Sequence, residues 1–479
     1  MQQFLRTLTG ITAIALAGAI IGAAQNSQPA QTGQAAPADK PAEKKKNYKD
    51  QQEYTLYDSA TKEPDATKKL GLLTQWKEKY PDSDFKMERT MLFLDAYQRS
   101  GQYAKMIDTA KEILAIDPKE LHALYWITLL TPQLNLNSAD GLDTGEKASN
   151  GLLGAEAPAG TPPADWEKAK KTTDAIAYKT LGWIWKERGT ALGKKAQGET
   201  GTDQAADQAA ALKAYTNAEQ NFLSSLKMEP NSGEVDYWLG TTILLEKKPE
   251  RMSEALFYIA RAVAYDGPGA MTPQQRQPAD PYLTKVYSQI HGDTSGLAEL
   301  KGMAKTNPAP PADFKIKTAA EIAAEKDEEL KKTNPALALW MNIKGQLLAQ
   351  DGEKYFDAMK GAALPGGAGG VTKFKGWLLS AKEVKSKAGR ITYPELLVSM
   401  EGKDQPADVT LKLVGGADGT TPTPLAGKPD VGVEIEFEGV GDAFTKDPAF
   451  MVTFDVEKAK ITGLKEAKPA PTVHHTAHK

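Results

Sequence analysis

Apolar residues recur at intervals of three and four along most of the chain between residues 65 and 308, which is the spacing of amphipathic helices. Residues 87–118 show this pattern clearly. A first helical stretch breaks at Gly101, and a second one ends immediately before Pro118. Because glycine and proline terminate helices, this segment predicts two helices joined by a tight turn.

The same two-helix frame fits other parts of the chain. Tyr178–Gly189 matches a first helix, and residues 212–230 match its second helix. The insertion between them, Thr190–Ala209, is expected to lengthen the tip of this hairpin. The next unit, residues 233–264, begins three residues after Pro230 in the same register. Weaker or degenerate units cover the residues just before Met87 and the ranges 121–153 and 282–308. The sequence therefore predicts about five or six successive helical hairpins.

The positions of aromatic, small and proline residues in these units resemble the tetratricopeptide repeat, whose period is about 34 residues. In the first clear unit the matching residues are Tyr97, Gly101, Tyr103, Leu114, Ile116 and Pro118. In the unit beginning at Tyr178 they are Leu181, Gly182, Trp185, Gly189, Ala218, Phe222 and Pro230. The resemblance implies an all-α solenoid over residues 63–308, with a continuous core and a concave surface. It also implies that Gly182 and Gly240 let the second helix of each unit approach closely.

The resemblance gives different roles to the two tryptophans of the stretch YKTLGWIWKERG. It implies that Trp185 packs between helices and that Trp183 lines the concave surface. The expected partner-binding residues on that surface are Arg99, Lys179, Trp183, Lys186 and Tyr237. Cations beside aromatic planes suit a carboxylate or an acidic peptide segment. The alternative interpretation is a solvated helix face, and the paired Lys and Asn pattern of carboxylate-clamping family members is absent.

Two further regions follow the repeats. Residues 309–370 predict helices that cap the solenoid and then a glycine-rich linker, Leu364–Gly370. The glycine cluster lacks the Lys-Ser or Lys-Thr of a phosphate-binding loop. From Phe374 the apolar period changes to two, because Val433, Ile435 and Phe437 alternate with glutamates.

Five strands are expected in residues 371–465, namely 374–384, 391–400, 408–414, 431–441 and 450–463. Five strands in this span resemble an OB-type barrel, and an immunoglobulin-like sandwich is the alternative. Many OB barrels bind single-stranded nucleic acid through cationic grooves. Residues 374–464 instead carry 11 Lys or Arg and 14 Asp or Glu, a net charge of −3, which argues against nucleic acid.

The N-terminus has the order of a secretory signal. Residues 1–24 contain one positive charge at Arg6, an apolar run and small residues before a possible cleavage site at Gln25. The alternative is an uncleaved membrane anchor formed by residues 8–24. Residues 25–62 are rich in Gln, Pro, Ala and Lys and predict a disordered linker. The histidine-containing tail, residues 466–479, is also expected to be disordered.

The amino-acid composition excludes several kinds of functional site. The chain of 479 residues has no cysteine, which excludes disulfides, thiolate metal sites and a cysteine nucleophile. No metal site, cofactor motif or catalytic constellation is recognisable. The sequence thus favours a non-enzymatic scaffold or adaptor of a bacterial-type cell envelope, exported to the periplasm, which binds one or more envelope proteins or peptides. The alternative is an accessory subunit or an enzyme of unrecognised type that binds glycan or another ligand in the β-barrel.

Overall fold

A computed structural model describes residues 46–415 and 424–467. The chain divides into two compact units, Met1–Lys317 and Thr318–Lys479. The expected signal peptide, the linker as far as residue 45 and the tail from residue 468 lie outside the described residues. In the described part of the chain the first unit is helical, and the second combines helices with a β-sheet.

The first unit contains twelve α-helices within the described residues. They are α1 Gln51–Lys62, α2 Ala66–Lys79, α3 Lys86–Arg99, α4 Tyr103–Ile116, α5 Leu121–Gln133, α6 Ala139–Leu153, α7 Pro163–Gln197, α8 Gly201–Met228, α9 Gly233–Leu245, α10 Met252–Ala264, α11 Pro273–His291 and α12 Leu297–Thr306. Successive helices pack as pairs from α1/α2 to α9/α10, while α11 and α12 both pack on α10. The pairs α3/α4, α5/α6 and α9/α10 cover the predicted units 87–118, 121–153 and 233–264, whereas α7 and α11 begin well before the predicted starts at residues 178 and 282.

The long pair α7/α8 contains the predicted insertion. The insertion does not form a loop but extends both helices, to 35 and 28 residues, whereas α9 and α10 have 13 residues each. The helix continues through Gly189, and α8 approaches it closely at this residue. A Cβ atom at Gly189 would lie 2.6 Å from the ring of Tyr215. The prediction of a lengthened hairpin is therefore confirmed, with a tip at residues 198–200.

Helix α1 corrects the prediction of a disordered linker over residues 25–62. It packs on α2, and Leu56 and Ala60 join a small core with Leu73 and Trp76. Glu53 is fully buried and accepts a 3.0 Å hydrogen bond from the indole nitrogen of Trp76. Composition misled the prediction, because a helix with few apolar residues is still stable when its buried carboxylate has donors.

The second unit begins with three helices, α13 Ala319–Thr333, α14 Pro335–Leu348 and α15 Gly352–Met359. Its strands are β1 Ala363–Leu364, β2 Phe374–Lys385, β3 Ile391–Ser399, β4 Val409–Val414, β5 Glu434–Phe437, β6 Gly439–Thr445 and β7 Met451–Glu457. Helix α14 packs on β2, and α15 packs on β6. Trp340 and Phe356 of these helices belong to the same core as the sheet. Two of the helices in the segment 309–370, α14 and α15, therefore pack on the sheet.

The strands form one mixed sheet in the order β1-β6-β7-β4-β3-β2-β5. Among the ladders between the described strands, only the one between β4 and β7 is parallel. Five strand spacings separate β5 from β6, which would be about 24 Å in a flat sheet. Phe437 and Gly439, which end β5 and begin β6, are nevertheless only two residues apart, a span of at most about 7 Å. The sheet must therefore curl, and it forms a half-barrel.

The prediction of five strands is wrong in its count. The expected strand 431–441 divides at Glu438 into β5, which pairs with β2, and β6, which pairs with β7. The two-residue strand β1 lies in the segment predicted as a linker and pairs with β6. The predicted alternation is confirmed, because Ile435 and Phe437 are fully buried while Glu434 is exposed.

Candidate functional site

Glycines bring the paired helices into close contact, as the sequence predicts. A Cβ atom at Gly182 of α7 would lie 2.5 Å from the ring of Phe222 of α8. A Cβ atom at Gly240 of α9 would lie 2.6 Å from Ile259 of α10. Both neighbours are fully buried, so there is no room for a side chain at either glycine. This tight packing holds α7 against α8 and α9 against α10.

A polar contact network joins α7, α9 and α11. The ammonium of Lys179 pairs with the carboxylate of Glu234 and lies 5.2 Å from the ring centroid of Trp238. The side-chain amide of Gln275 donates a 3.3 Å hydrogen bond to the other oxygen of Glu234. One carboxylate on α9 thus binds groups from the helix before it and the helix after it.

Aromatic side chains continue this surface. The rings of Tyr237 and Tyr282 meet edge to face, with their centroids 6.4 Å apart. Trp238 lies 6.0 Å from the buried ring of Phe222. Burial raises the pKa of Tyr237 and of Tyr282, so both hydroxyls are neutral donors at ordinary pH. We call this surface the three-helix face; it consists of Lys179, Glu234, Tyr237, Trp238, Gln275 and Tyr282.

The structure corrects the prediction for Trp183, which is buried, whereas Trp185 packs against the core as expected. Trp183 is only 5% exposed and belongs to the central core of the first unit. Trp185 is partly buried, and the guanidinium of Arg188 lies 4.9 Å from its ring centroid. Arg188 in turn pairs with carboxylates of α6. Because α7 packs against α5, α6, α8 and α9, both tryptophans contact other helices, and the one expected in the groove is the more deeply buried.

The other candidate residues do not form one site. Lys179 and Tyr237 belong to the three-helix face. Lys186 lies two turns from Lys179 along α7, and its ammonium is 3.5 Å from the carboxylate of Glu187. Arg99 is on α3, a helix that packs mainly with α1, α2 and α4. Its side chain pairs with Asp95 on the same helix at 2.8 Å.

The sequence analysis missed Glu234, Trp238 and Tyr282. Glu234 lies three residues before Tyr237 and four before Trp238, so its side chain is next to both on the surface of α9. Helical spacing from Tyr237 could have identified Glu234, and spacing from Glu234 could have identified Trp238. Tyr282 gives no such signal, because its contact with Tyr237 depends on how α11 packs.

The second unit has a separate depression of about 510 Å³. Its residues are Trp377, Glu401, Gly402, Lys403, Asp404, Gln405 and Gly432. Trp377 is partly buried on β2, and most of the other residues belong to the segment between β3 and β4. The depression combines one aromatic plane with carboxylate, amide and ammonium groups.

Comparison with known proteins gives no family assignment: no protein-family model matches the chain, and no curated protein matches it either. Within residues 46–415 and 424–467, no helix has the length and apolar character needed to cross a membrane. The same residues contain no cluster of three His, Cys, Asp or Glu side chains suited to a metal ion.

Proposed function

We propose that this protein is an exported, non-enzymatic scaffold of the cell envelope that binds a partner polypeptide on a solenoid of tetratricopeptide-type repeats. The observation that carries the proposal is the three-helix face. It is built from the first helices of three successive helical units, which is where repeat proteins of this type bind ligands. Its aromatic rings, hydroxyls and amide suit recognition of another polypeptide.

The partner segment that we propose carries a carboxylate, which would compete with Glu234 for Lys179. Lys179 is already neutralised by Glu234, and a carboxylate of the partner can replace Glu234 as its counter-ion. Tyr282 is 37% exposed and is available to cover an apolar part of the same segment. Aromatic anchors of this kind usually supply a large share of binding energy at an interface.

A photo-crosslinking experiment tests the proposed face. A photoreactive amino acid is placed at position 282 in the full chain, and separately at Leu223 of α8, which is outside the face and 38% exposed. We expect a discrete crosslinked partner in envelope extracts from position 282 and not from position 223. The same adducts from both positions, or none from position 282, would contradict binding at this face.

The proposed location needs its own test. A reporter enzyme that is active only outside the cytoplasm, fused to the C-terminus, should be active. Mass spectrometry of the mature protein should find an N-terminus at or near Gln25. An intact Met1 in membrane fractions would instead support an anchor formed by residues 8–24.

A second candidate function is glycan binding by the second unit. The depression around Trp377 favours it, because an aromatic plane surrounded by carboxylate and amide groups can stack on a sugar ring and accept hydrogen bonds from its hydroxyls. The test is binding of envelope-derived oligosaccharides to the full chain and to Trp377→Ala. Equal binding by the two proteins would exclude this depression.

A further inference from the structure

A cavity of about 510 Å³ lies between α2, α3 and α4, away from the three-helix face. We call it the Tyr97 pocket. Its lining residues are Thr74, Lys77, Glu78, Pro81, Phe93, Tyr97, Lys105, Asp108, Thr109 and Glu112.

The floor of the Tyr97 pocket is aromatic. Phe93 and Tyr97 lie four residues apart on α3 and therefore face the same side of the helix. Their ring centroids are 5.9 Å apart, with an interplanar angle of 24°. Phe93 is 9% exposed, so the floor is fixed in the core. Burial raises the pKa of Tyr97 and keeps its hydroxyl neutral.

The chain already places a cation over each ring of this floor. The ammonium of Lys77 is 5.9 Å from the centroid of Phe93, and that of Lys105 is 5.6 Å from the centroid of Tyr97. A ring face attracts cations through its quadrupole. The pocket therefore has the chemistry of a cation site that two lysines of the protein itself occupy.

The charges around the floor favour a further cation. Three carboxylates, Glu78, Asp108 and Glu112, face two ammonium groups. Lys77 pairs with Glu112 at 3.4 Å. Among the described residues, Lys105 and Asp108 make no ion pair. Lys105 can thus leave the ring of Tyr97 without losing a carboxylate partner, and Asp108 is available to an incoming group.

We propose that the Tyr97 pocket receives an arginine side chain of a partner polypeptide. The guanidinium displaces Lys105 from the ring of Tyr97, stacks on that ring and pairs with Asp108. Arginine suits this pocket better than lysine, because its planar group can stack and make two parallel hydrogen bonds to a carboxylate at once. This proposal uses no residue of the three-helix face and does not depend on what binds there.

The test measures binding of short peptides to the full chain by saturation-transfer NMR. The peptides are acetyl-Gly-Gly-Arg-Gly-Gly-amide and the same peptide with citrulline, which has the shape of arginine without its charge. We expect the arginine peptide to bind about tenfold more tightly, since the uncharged peptide loses both the ring attraction and the ion pair. Equal affinities, or no binding of either peptide, would overturn the proposal.

Lys105→Gln gives the decisive comparison. If Lys105 competes with the ligand, removing its charge should tighten arginine binding about two- to fivefold, the size of one exposed cation–π contact. If the pocket instead binds anions, Lys105→Gln should weaken the binding of every peptide, because it removes a positive charge from the pocket. Such a weakening of arginine binding would refute the proposal.

Two further variants complete the design. Lys111→Gln removes the same charge from the same helix, but Lys111 pairs with Asp140 outside the pocket. It should leave arginine affinity unchanged. Asp108→Asn should lower arginine affinity about threefold, with an unchanged melting temperature because Asp108 is exposed. Tightening by Lys111→Gln equal to that by Lys105→Gln would show a general charge effect and would also refute the proposal.

Discussion

The indole nitrogen of Trp340 donates a 2.8 Å hydrogen bond to one carboxylate oxygen of Asp408. The other oxygen of Asp408 accepts the backbone N–H of Met400 at 2.9 Å. Lys344 lies 3.3 Å from the same carboxylate. Asp408 therefore links α14 to the residue that follows β3. Because Asp408 is buried, the stability of the sheet depends on the packing of α14 against it.

Replacing Asp408 should destabilise the second unit strongly. Asp408→Ala leaves the Trp340 indole and the Met400 amide without acceptors, which should lower the free energy of unfolding by about 2–4 kcal/mol. Urea unfolding of the second unit measures this change. The exposed Asp404, in the same segment, supplies the control, because Asp404→Ala should change stability by less than about 0.5 kcal/mol. Similar losses in the two variants would mean that the buried network contributes little.

The close approach of α7 and α8 predicts an unusual effect of alanine. Gly182→Ala places a methyl group 2.5 Å from the fixed ring of Phe222 and should cost about 1–3 kcal/mol. Gly193→Ala, three turns later on α7, meets only the hydroxyl of Tyr215 at 3.4 Å. It should gain about 0.5–1 kcal/mol from helix propensity. Thermal unfolding of both variants measures these changes in stability. Stabilisation by Gly182→Ala would show that α7 and α8 are further apart than the structure places them.

The two tryptophans should differ in stability in the order of their burial. Trp183→Ala removes a buried core side chain and should cost about 3–5 kcal/mol. Trp185→Ala removes a partly buried ring and its contact with Arg188, so it should cost clearly less. Chemical denaturation of the two variants measures the difference. A larger loss for Trp185→Ala would restore the assignment that the repeat resemblance implied.

Asp236 should make the first unit less stable as pH rises. Neither oxygen of its buried carboxylate accepts a hydrogen bond, although Arg261 is 3.3 Å away. Burial raises the pKa of Asp236 to about 8, and the attraction of Arg261 offsets only part of that shift. Because the ordinary value is 3.8, the folded chain holds a proton that the unfolded chain releases between about pH 4 and pH 8. The contribution of Asp236 to stability is therefore fully present below about pH 4 and is lost as the pH rises to about 8.

Asp236→Asn tests this pH dependence. The steepest slope that a single group can give is about 1.4 kcal/mol per pH unit. Denaturant unfolding across the same pH range should show that the free energy of unfolding decreases less steeply with pH in the variant than in the natural chain. Parallel curves would mean that Asp236 titrates normally in the folded protein.

The sequence predicted the helical hairpins well because helix ends are local. Gly101 and Pro118 stop helices through their own backbone chemistry, whatever surrounds them. The alternation around Ile435 predicted a strand for the same reason. The strands that pair with it could not be predicted. The chain turns at Glu438, so that β5 pairs with β2 and β6 pairs with β7 in a curled sheet.

The candidate site was predictable only in part. Lys179 and Tyr237 were expected on one surface, and Lys179 does pair with Glu234, which lies on the same helix as Tyr237. The sequence could not show that Trp183 is covered, because that depends on how many helices surround α7. It also could not show that Glu234 neutralises Lys179, because this contact joins residues 55 positions apart.

The unequal lengths of the helical pairs have a consequence for engineering. Helix α7 is about 52 Å long, whereas its neighbour α9 is about 20 Å long. The outer part of the α7/α8 pair is held mainly by contacts between its own arms, such as the ion pair of Lys195 and Asp207 at 2.8 Å. Shortening both arms by matched whole turns would preserve the pairing of the helices that remain. The tip at residues 198–200 is thus a natural attachment point, where an epitope or a fluorescent domain can be inserted without disturbing the buried core.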